Sequence, residues 1–282
     1  MRYPLVLSYL QAQALLSARN QGLGTATISL DLGLSTREVA LLPDRVAFEE
    51  DEWLTWEGVE EIAGEEMVCF EIEDHQPEKI QQFSELMNRF YSLMPTTGAP
   101  TLLISGIPMH RIKGVDPHRD TLTKVRTVSP IAGRVLDTCT GLGYTAIEAA
   151  KKAEHVVTIE LDPMVLEVAE LNPWSRALFE NPRIEQRVGD AFDVVQDLED
   201  ASFSLIVHDP PMFNLAGDLY SAEFYGELHR VLRHRGRMFH YVGDLDSKSG
   251  RNVVRGVTRR LQEVGFTRVV RKPEAFGVVA YK

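Results

Sequence analysis

Residues typical of secreted, metal-binding and membrane proteins are scarce in this sequence. Its only cysteines, Cys69 and Cys139, lie too far apart for a CxxC motif, which argues for a reducing compartment and against a zinc site. No apolar run approaches the roughly 20 residues of a membrane span. Gln11, Gln13 and Arg19 interrupt the first apolar segment, unlike in a signal peptide. We therefore expect a cytoplasmic protein without a metal site.

Basic residues are also in deficit. The 282 residues carry 30 Lys and Arg against 41 Asp and Glu, a net charge of −11. The deficit lies mainly in residues 1–128, which hold 11 basic and 19 acidic side chains, whereas residues 129–282 hold 19 and 22. An acidic half of this kind is poorly suited to grip a phosphate backbone. We expect neither DNA nor a membrane among the partners.

Residues 1–128 have the pattern of a small α+β accessory or substrate domain. Residues 6–18 resemble a short apolar helix, and residues 25–32 alternate like a half-buried strand. Pro43-Asp44 marks the turn of a predicted hairpin. Apolar residues at helical spacing predict an amphipathic helix over residues 79–93.

Residues 104–128 predict a surface loop that leads into a short helix. Loops that enter a nucleotide-binding fold from this side often cover its pocket. Four basic side chains there either face a substrate or are solvated loop charges: His110, Arg111, Lys113 and Lys124.

A strand, a glycine turn and a helix start occupy residues 135–146. The strand ends at Asp137, and Gly141 and Gly143 allow the sharp turn that brings a nucleoside-bearing ligand close to the backbone. Residues 141–146 match the relaxed dinucleotide pattern G-x-G-x-x-A. The Asp137 carboxylate would repel a diphosphate and attract a cationic amino-acid group, which favours S-adenosylmethionine. An ordinary strand–turn–helix is the alternative.

Acidic residues follow two later strands. Glu160 ends the strand over residues 155–159, 17 residues after Gly143, near the spacing at which an acid binds ribose hydroxyls. Asp190 follows the strand over residues 183–188. It either accepts a hydrogen bond from an adenine amino group or caps the next helix.

A fourth strand, over residues 203–207, leads into the segment HDPPMFN. Pro210 and Pro211 hold the chain extended and keep its carbonyls out of any helix. Asp209 and the Pro210 carbonyl are therefore suited to hold an amine N–H and orient the nitrogen toward an electrophile. A planar amino group stacked on Phe213 is one candidate acceptor.

Strands and helices alternate through the rest of the chain. The helix predicted over residues 220–232 is expected to stop at Gly236. Residues 266–270 and 277–281 form a closing hairpin. The pattern predicts an α/β fold with a mostly parallel sheet and an antiparallel C-terminal hairpin.

Four ordered motifs, LDTCTGLG, TIELDP, GDA and DPPMF, resemble those of class I S-adenosylmethionine-dependent methyltransferases. The resemblance implies a Rossmann-like, seven-stranded domain over residues 129–282. NPWS, HDPPMF and the strand-rich first domain are similar to an archaeal group of predicted methyltransferases related to spermidine synthases. Cys139 departs from the motif, where the family has glycine. The implied cofactor contacts are Asp137, Thr138, Gly141, Gly143, Tyr144, Glu160, Leu161, Asp190, Ala191 and Asp209.

The function indicated is methyl transfer from S-adenosylmethionine to nitrogen by direct displacement, with Asp209, Pro210 and Phe213 as catalytic residues. The alternative is a polyamine aminopropyltransferase that uses decarboxylated S-adenosylmethionine. A binding module and an NAD-dependent oxidoreductase are less favoured. The expected partner is an amine-bearing small molecule, RNA or protein, and a homodimer is left open. Arginines at 230–237 and 251–260 either contact RNA phosphates or are solvated.

Overall fold

The computed structural model describes residues 4–49, 51–211 and 216–282. The chain divides into two compact units: Met1–His118 with Met164–Arg176, and Arg119–Pro163 with Ala177–Lys282. This division assigns Lys124 to the second unit, whereas the sequence-based division after residue 128 placed it in the first.

The first unit contains three small antiparallel sheets and two helices at the start of the chain. One sheet has the order β1-β6-β7, one β2-β3-β4-β5 and one β11-β10-β9-β8. Their bounds are β1 (Leu5–Leu7), α1 (Tyr9–Asn20), β2 (Thr25–Ile28), β3 (Arg37–Leu41), β4 (Arg45–Glu49), β5 (Glu52–Thr55), α2 (Trp56–Ala63), β6 (Phe70–Glu73), β7 (Gln76–Lys79), β8 (Gln81–Ser84), β9 (Arg89–Met94), β10 (Thr101–Ile104) and β11 (Ile107–Pro108).

Local chemistry starts both helices. Ser8 caps α1 and forms a capping box with Gln11, and Thr55 caps α2 by accepting a hydrogen bond from the Gly58 N–H. The apolar faces of the helices contribute Leu15 and Ile62 to the core of this unit.

The helix predicted over residues 79–93 is wrong. The segment instead forms β8 and β9, joined by a turn in which Asn88 has φ +50°. Phe83 pairs with Phe90 across the two strands, and their ring centroids lie 4.8 Å apart. Phe83 and Phe90 are exposed, so the helical spacing of apolar residues did not reflect a buried helix face.

The second unit is built around a seven-stranded sheet with the order β14-β13-β12-β15-β16-β18-β17. β14, β13, β12, β15 and β16 run parallel to one another, β18 is antiparallel to β16, and β17 is antiparallel to β18. The predicted α/β fold is thus confirmed. The strands are β12 (Arg134–Asp137), β13 (His155–Glu160), β14 (Ile184–Val188), β15 (Phe203–His208), β16 (Leu232–Tyr241), β17 (Arg268–Lys272) and β18 (Gly277–Tyr281).

Helices connect these strands, and α5 is grouped with the first unit. α8 ends at Val231 and β16 begins at the next residue, so Gly236 lies within a strand and does not stop the helix. In the described ranges, no helix is long and apolar enough to cross a membrane. The helices are α3 (Pro117–Thr127), α4 (Tyr144–Ala150), α5 (Pro163–Glu170), α6 (Arg176–Glu180), α7 (Ala191–Gln196), α8 (Ala222–Val231) and α9 (Lys248–Glu263).

Candidate active site

The sheet topology places the candidate residues at one edge. β12 lies between β13 and β15, and the strand order reverses between β12 and β15. In register, Asp137 at the end of β12 lies beside Thr158 and Val207. Ligands of open α/β sheets bind outside the carboxyl ends of the strands at such a reversal. Asp137, Glu160, Asp190 and Asp209 all lie at this edge.

The glycine turn is held by two hydrogen bonds that its backbone N–H groups donate, one to a backbone carbonyl and one to a carboxylate. The Gly143 N–H donates to the Thr140 carbonyl at 2.7 Å, and the Gly141 N–H donates to Glu160 Oε2 at 2.8 Å. Gly143 has φ +75°, and a Cβ there would lie 2.7 Å from Leu178 Cδ2. Glycine is therefore required at this position for both backbone conformation and space.

Asp137 is completely buried beneath the turn. Its Oδ2 accepts hydrogen bonds from Thr158 Oγ1 at 2.9 Å and Thr145 Oγ1 at 3.1 Å. Oδ1 accepts none from any residue that the structure describes. Burial raises the pKa of Asp137 to about 8, although the two threonines lower it. An unpaired buried carboxyl oxygen is costly, and it fits the cationic amino-acid group of S-adenosylmethionine.

Glu160 ties the second strand tip to the glycine turn. Besides Gly141, it accepts a hydrogen bond from the Asp162 N–H at 3.2 Å. Burial raises its pKa to about 7, and these backbone N–H groups lower it. A carboxylate has about four acceptor sites, so ribose hydroxyls can still bind. Leu161 beside it is 41% exposed and offers an apolar surface to a nucleoside.

Asp190 caps α7, because its Oδ1 accepts a hydrogen bond from the Phe192 N–H at 2.8 Å. Capping uses one oxygen and leaves the predicted adenine contact open. Ala191 follows and is buried. Tyr144, the first residue of α4, is buried as well.

Asp209 forms an ion pair with a buried lysine, which the sequence did not predict. Its Oδ2 lies 2.6 Å from Lys124 Nζ on α3. Lys124 Nζ also lies 3.1 Å from Asp120 Oδ2 and 4.5 Å from the centroid of the Tyr241 ring. Lys124 is thus a buried partner of the candidate catalytic residue. The interpretation of Lys124 as a solvated loop charge is wrong.

Buried histidines support the same strand end. His208 Nε2 donates to the Leu219 carbonyl at 2.9 Å, so the neutral ring accepts from Thr138 Oγ1 at Nδ1, at 2.7 Å. Burial lowers the pKa of His208 to about 3. The centroid of the His240 ring lies 4.3 Å from that of the His208 ring, and His240 Nε2 is hydrogen-bonded to Tyr225 OH at 2.7 Å. Thr138 is therefore fixed from behind by a neutral histidine.

Other predicted residues have structural contacts or lie outside the described residues. The Pro211 carbonyl accepts a hydrogen bond from Tyr220 OH at 3.0 Å, and Pro210 is buried. Phe213 falls in the segment 212–215, outside the described residues. Burial raises the pKa of the Cys139 thiol, which disfavours a reactive thiolate.

Some of the basic residues considered for substrate or RNA binding make hydrogen bonds within the protein, and others are exposed. His110 Nδ1 is hydrogen-bonded to Thr101 Oγ1 at 2.9 Å. Arg230 donates to the carbonyls of residues 195, 196 and 198, and Arg237 donates to those of residues 128 and 130. These two arginines hold loops together. Arg251, Arg255 and Arg259 on α9 are exposed.

Comparisons with known proteins show which family and fold the chain shares. A family model described as a methyltransferase domain matches residues 135–236. The "uncharacterized protein MJ1233" of Methanocaldococcus jannaschii is 42% identical over 284 residues, which cover 99% of this chain and 96% of the relative. Polyamine aminopropyltransferase 2 of Streptomyces coelicolor is 30% identical over 148 residues, 49% of this chain and 26% of that protein. Spermidine synthase from Thermotoga maritima has a TM-score of 0.57 at 18% identity over 71% of this chain and 70% of that chain, which shows a shared fold.

Proposed function

The chain belongs to the same family as the uncharacterized protein MJ1233 and carries a methyltransferase domain over residues 135–236, and from this premise we propose that it methylates a nitrogen acceptor by direct displacement. The cofactor supplies a methyl group on a sulfonium. Asp209 Oδ1 accepts a hydrogen bond from the acceptor N–H and holds the nitrogen lone pair toward that methyl group. The acceptor is an amine-bearing small molecule, RNA or protein. The protein acts in the cytoplasm.

One observation carries the cofactor assignment: the unpaired, buried Oδ1 of Asp137 below a glycine turn, with Glu160 at the next strand tip. Asp137 would hold the amino group of S-adenosylmethionine, directly or through one water. Glu160 would hold the ribose hydroxyls. A dinucleotide would place its diphosphate beside Asp137 and would supply no cation for the unpaired Oδ1.

Aminopropyl transfer is the second candidate, because curated relatives and solved structures include aminopropyltransferases. Its acceptor is a polycation, which needs surplus negative charge. Asp209 is already paired with Lys124 at 2.6 Å, so less of its charge is left for a polycation. This pairing favours methyl transfer.

Calorimetric titration with S-adenosylmethionine, its decarboxylated form and NAD separates the donors. We expect S-adenosylmethionine to bind most tightly. Preference for the decarboxylated form would promote aminopropyl transfer, and preference for NAD would overturn both assignments.

A transfer assay then tests the reaction. The protein is incubated with methyl-labelled S-adenosylmethionine and separate small-molecule, RNA and protein fractions, and the labelled atom is identified. Asp209→Asn should keep cofactor affinity but lose a factor of about 10²–10⁴ in turnover. The exposed Asp218 supplies the matched control, Asp218→Asn, which should retain full activity. Full activity of Asp209→Asn would remove Asp209 from the mechanism.

A further inference from the structure

Lys124 is a lysine whose ammonium is buried in the protein. Only 3% of its side chain is exposed. Its Nζ lies 2.6 Å from Asp209 Oδ2, 3.1 Å from Asp120 Oδ2 and 4.5 Å from the centroid of the Tyr241 ring. Lysine is almost never fully buried unless it is paired. These three contacts compensate for burial of the ammonium and fix its position.

The ammonium keeps its charge in this environment. Burial lowers the pKa of Lys124, but Asp209 and Asp120 raise it by more, so it ends above its ordinary value. The Lys124 ammonium therefore stays protonated near neutral pH. Lys124 and Asp209 lie 85 residues apart in the chain, and their bond fixes α3 against the end of β15.

The two oxygens of Asp209 are in different situations. Oδ2 is occupied by Lys124, whereas Oδ1 accepts no hydrogen bond from the described residues. Burial raises the pKa of Asp209, and Lys124 lowers it. A protonated Asp209 would carry a hydrogen that competes with the acceptor N–H for the same position.

We propose that Lys124 is a positioning residue for the transfer step: it locks Asp209 through Oδ2 and keeps the carboxylate ionised, so that Oδ1 is the atom that receives the acceptor N–H. This inference rests on the proposed role of Asp209. It holds whether the transferred group is methyl or aminopropyl, because both need an oriented nitrogen.

Two charged neighbours on α3 shift the pKa of Asp209 in opposite directions. Lys124 lowers the pKa of Asp209, whereas Asp120 raises it. The charged and titratable neighbours that interact with this cluster are Asp120 and Lys124 on α3, Tyr241 at the end of β16, Asp137 and Cys139 around the first turn, and Tyr220 before α8. Removing Lys124 and removing Asp120 should therefore move the Asp209 titration in opposite directions.

Carbon-13 NMR of protein labelled at aspartate carboxyls measures this directly, with Asp209→Asn assigning the signal. Lys124→Met should raise the Asp209 pKa by about 1–3 units. Asp120→Asn should lower it. The control Lys152→Met changes an exposed lysine and should leave it unchanged. Circular dichroism checks folding, and if Lys124→Met does not fold, Asp120→Asn still gives a signed result.

An unchanged titration in folded Lys124→Met, or an upward shift in Asp120→Asn, would overturn the inference. If the shifts occur but no group transfer is ever found, the proposed function fails and the lysine's effect on Asp209 stands. If transfer is found, the acid limb of kcat/KM against pH should move upward in Lys124→Met. An unmoved limb would contradict the positioning role even with transfer confirmed.

Discussion

Binding of S-adenosylmethionine should release protons from the protein. The pKa values of Asp137 and Glu160 are raised to about 8 and about 7 by burial. At pH 7 they therefore hold roughly 0.9 and roughly 0.5 of a proton. A cation beside Asp137 and ribose hydroxyls on Glu160 both favour the ionised form. Release should approach ~1.4 protons per ligand at pH 7, and affinity should rise with pH at a matching slope.

Calorimetric titration in two buffers that differ in ionisation enthalpy, such as phosphate and Tris, gives the proton count. Methylthioadenosine lacks the amino-acid group, so it should release only the ~0.5 proton of Glu160. Asp137→Asn should reduce the release with S-adenosylmethionine to the same value. Equal heats in both buffers for the wild-type protein would refute the assignment of Asp137 to the cofactor's cation.

The same raised pKa values set the pH dependence of stability in the absence of ligand. In the folded protein Asp137 has a pKa of about 8 and Glu160 a pKa of about 7. In the unfolded chain both carboxyls lose their protons near pH 4. The contribution of these two carboxyls to stability is therefore fully present below about pH 4 and is lost as pH rises toward 8. Asp137→Asn should melt at a more nearly constant temperature across this interval. A parallel decline in both proteins would contradict the burial of a protonated carboxyl.

Three further predictions test the support of the site. Gly143→Ala should destabilise the protein by about 1–2 kcal/mol from its positive φ alone, with more from the clash with Leu178, and weaken cofactor binding; an unchanged melting temperature and affinity would contradict this. His208 stays neutral when folded, so stability should fall as pH drops from about 6.5 toward 3, and melting of His208→Asn should depend less on pH in that range. Tyr225→Phe leaves His240 Nε2 without its 2.7 Å partner and should cost about 1–3 kcal/mol in denaturant unfolding, whereas wild-type stability would show that water replaces the hydroxyl.

The strand tips of the second unit were predictable because their signals are local. The buried strands contain apolar runs, and each acid ends its strand or directly follows it, as Asp137, Glu160 and Asp209 do. Parallel pairing then brings these tips to one edge without further information. The helix predicted over residues 79–93 was wrong because apolar residues at helical spacing also occur in a hairpin with exposed aromatic side chains.

Lys124 was considered either as a substrate-facing residue or as a solvated loop charge, since no local pattern marks a lysine that pairs 85 residues away. Its burial depends on contacts made within the second unit by residues far apart in the chain. The helical spacing of Asp120 and Lys124, four residues apart, was the one signal available, because such a pair lies on one helix face. That spacing is common on solvated helices, so it could not identify a buried pair.

The most direct test of the cofactor site is a crystal structure with S-adenosylhomocysteine. We expect its ammonium within hydrogen-bond reach of Asp137 Oδ1, directly or through one water, and its ribose hydroxyls on Glu160. A nucleoside bound away from the tips of β12 and β13, with Asp137 Oδ1 still unpaired, would contradict the account.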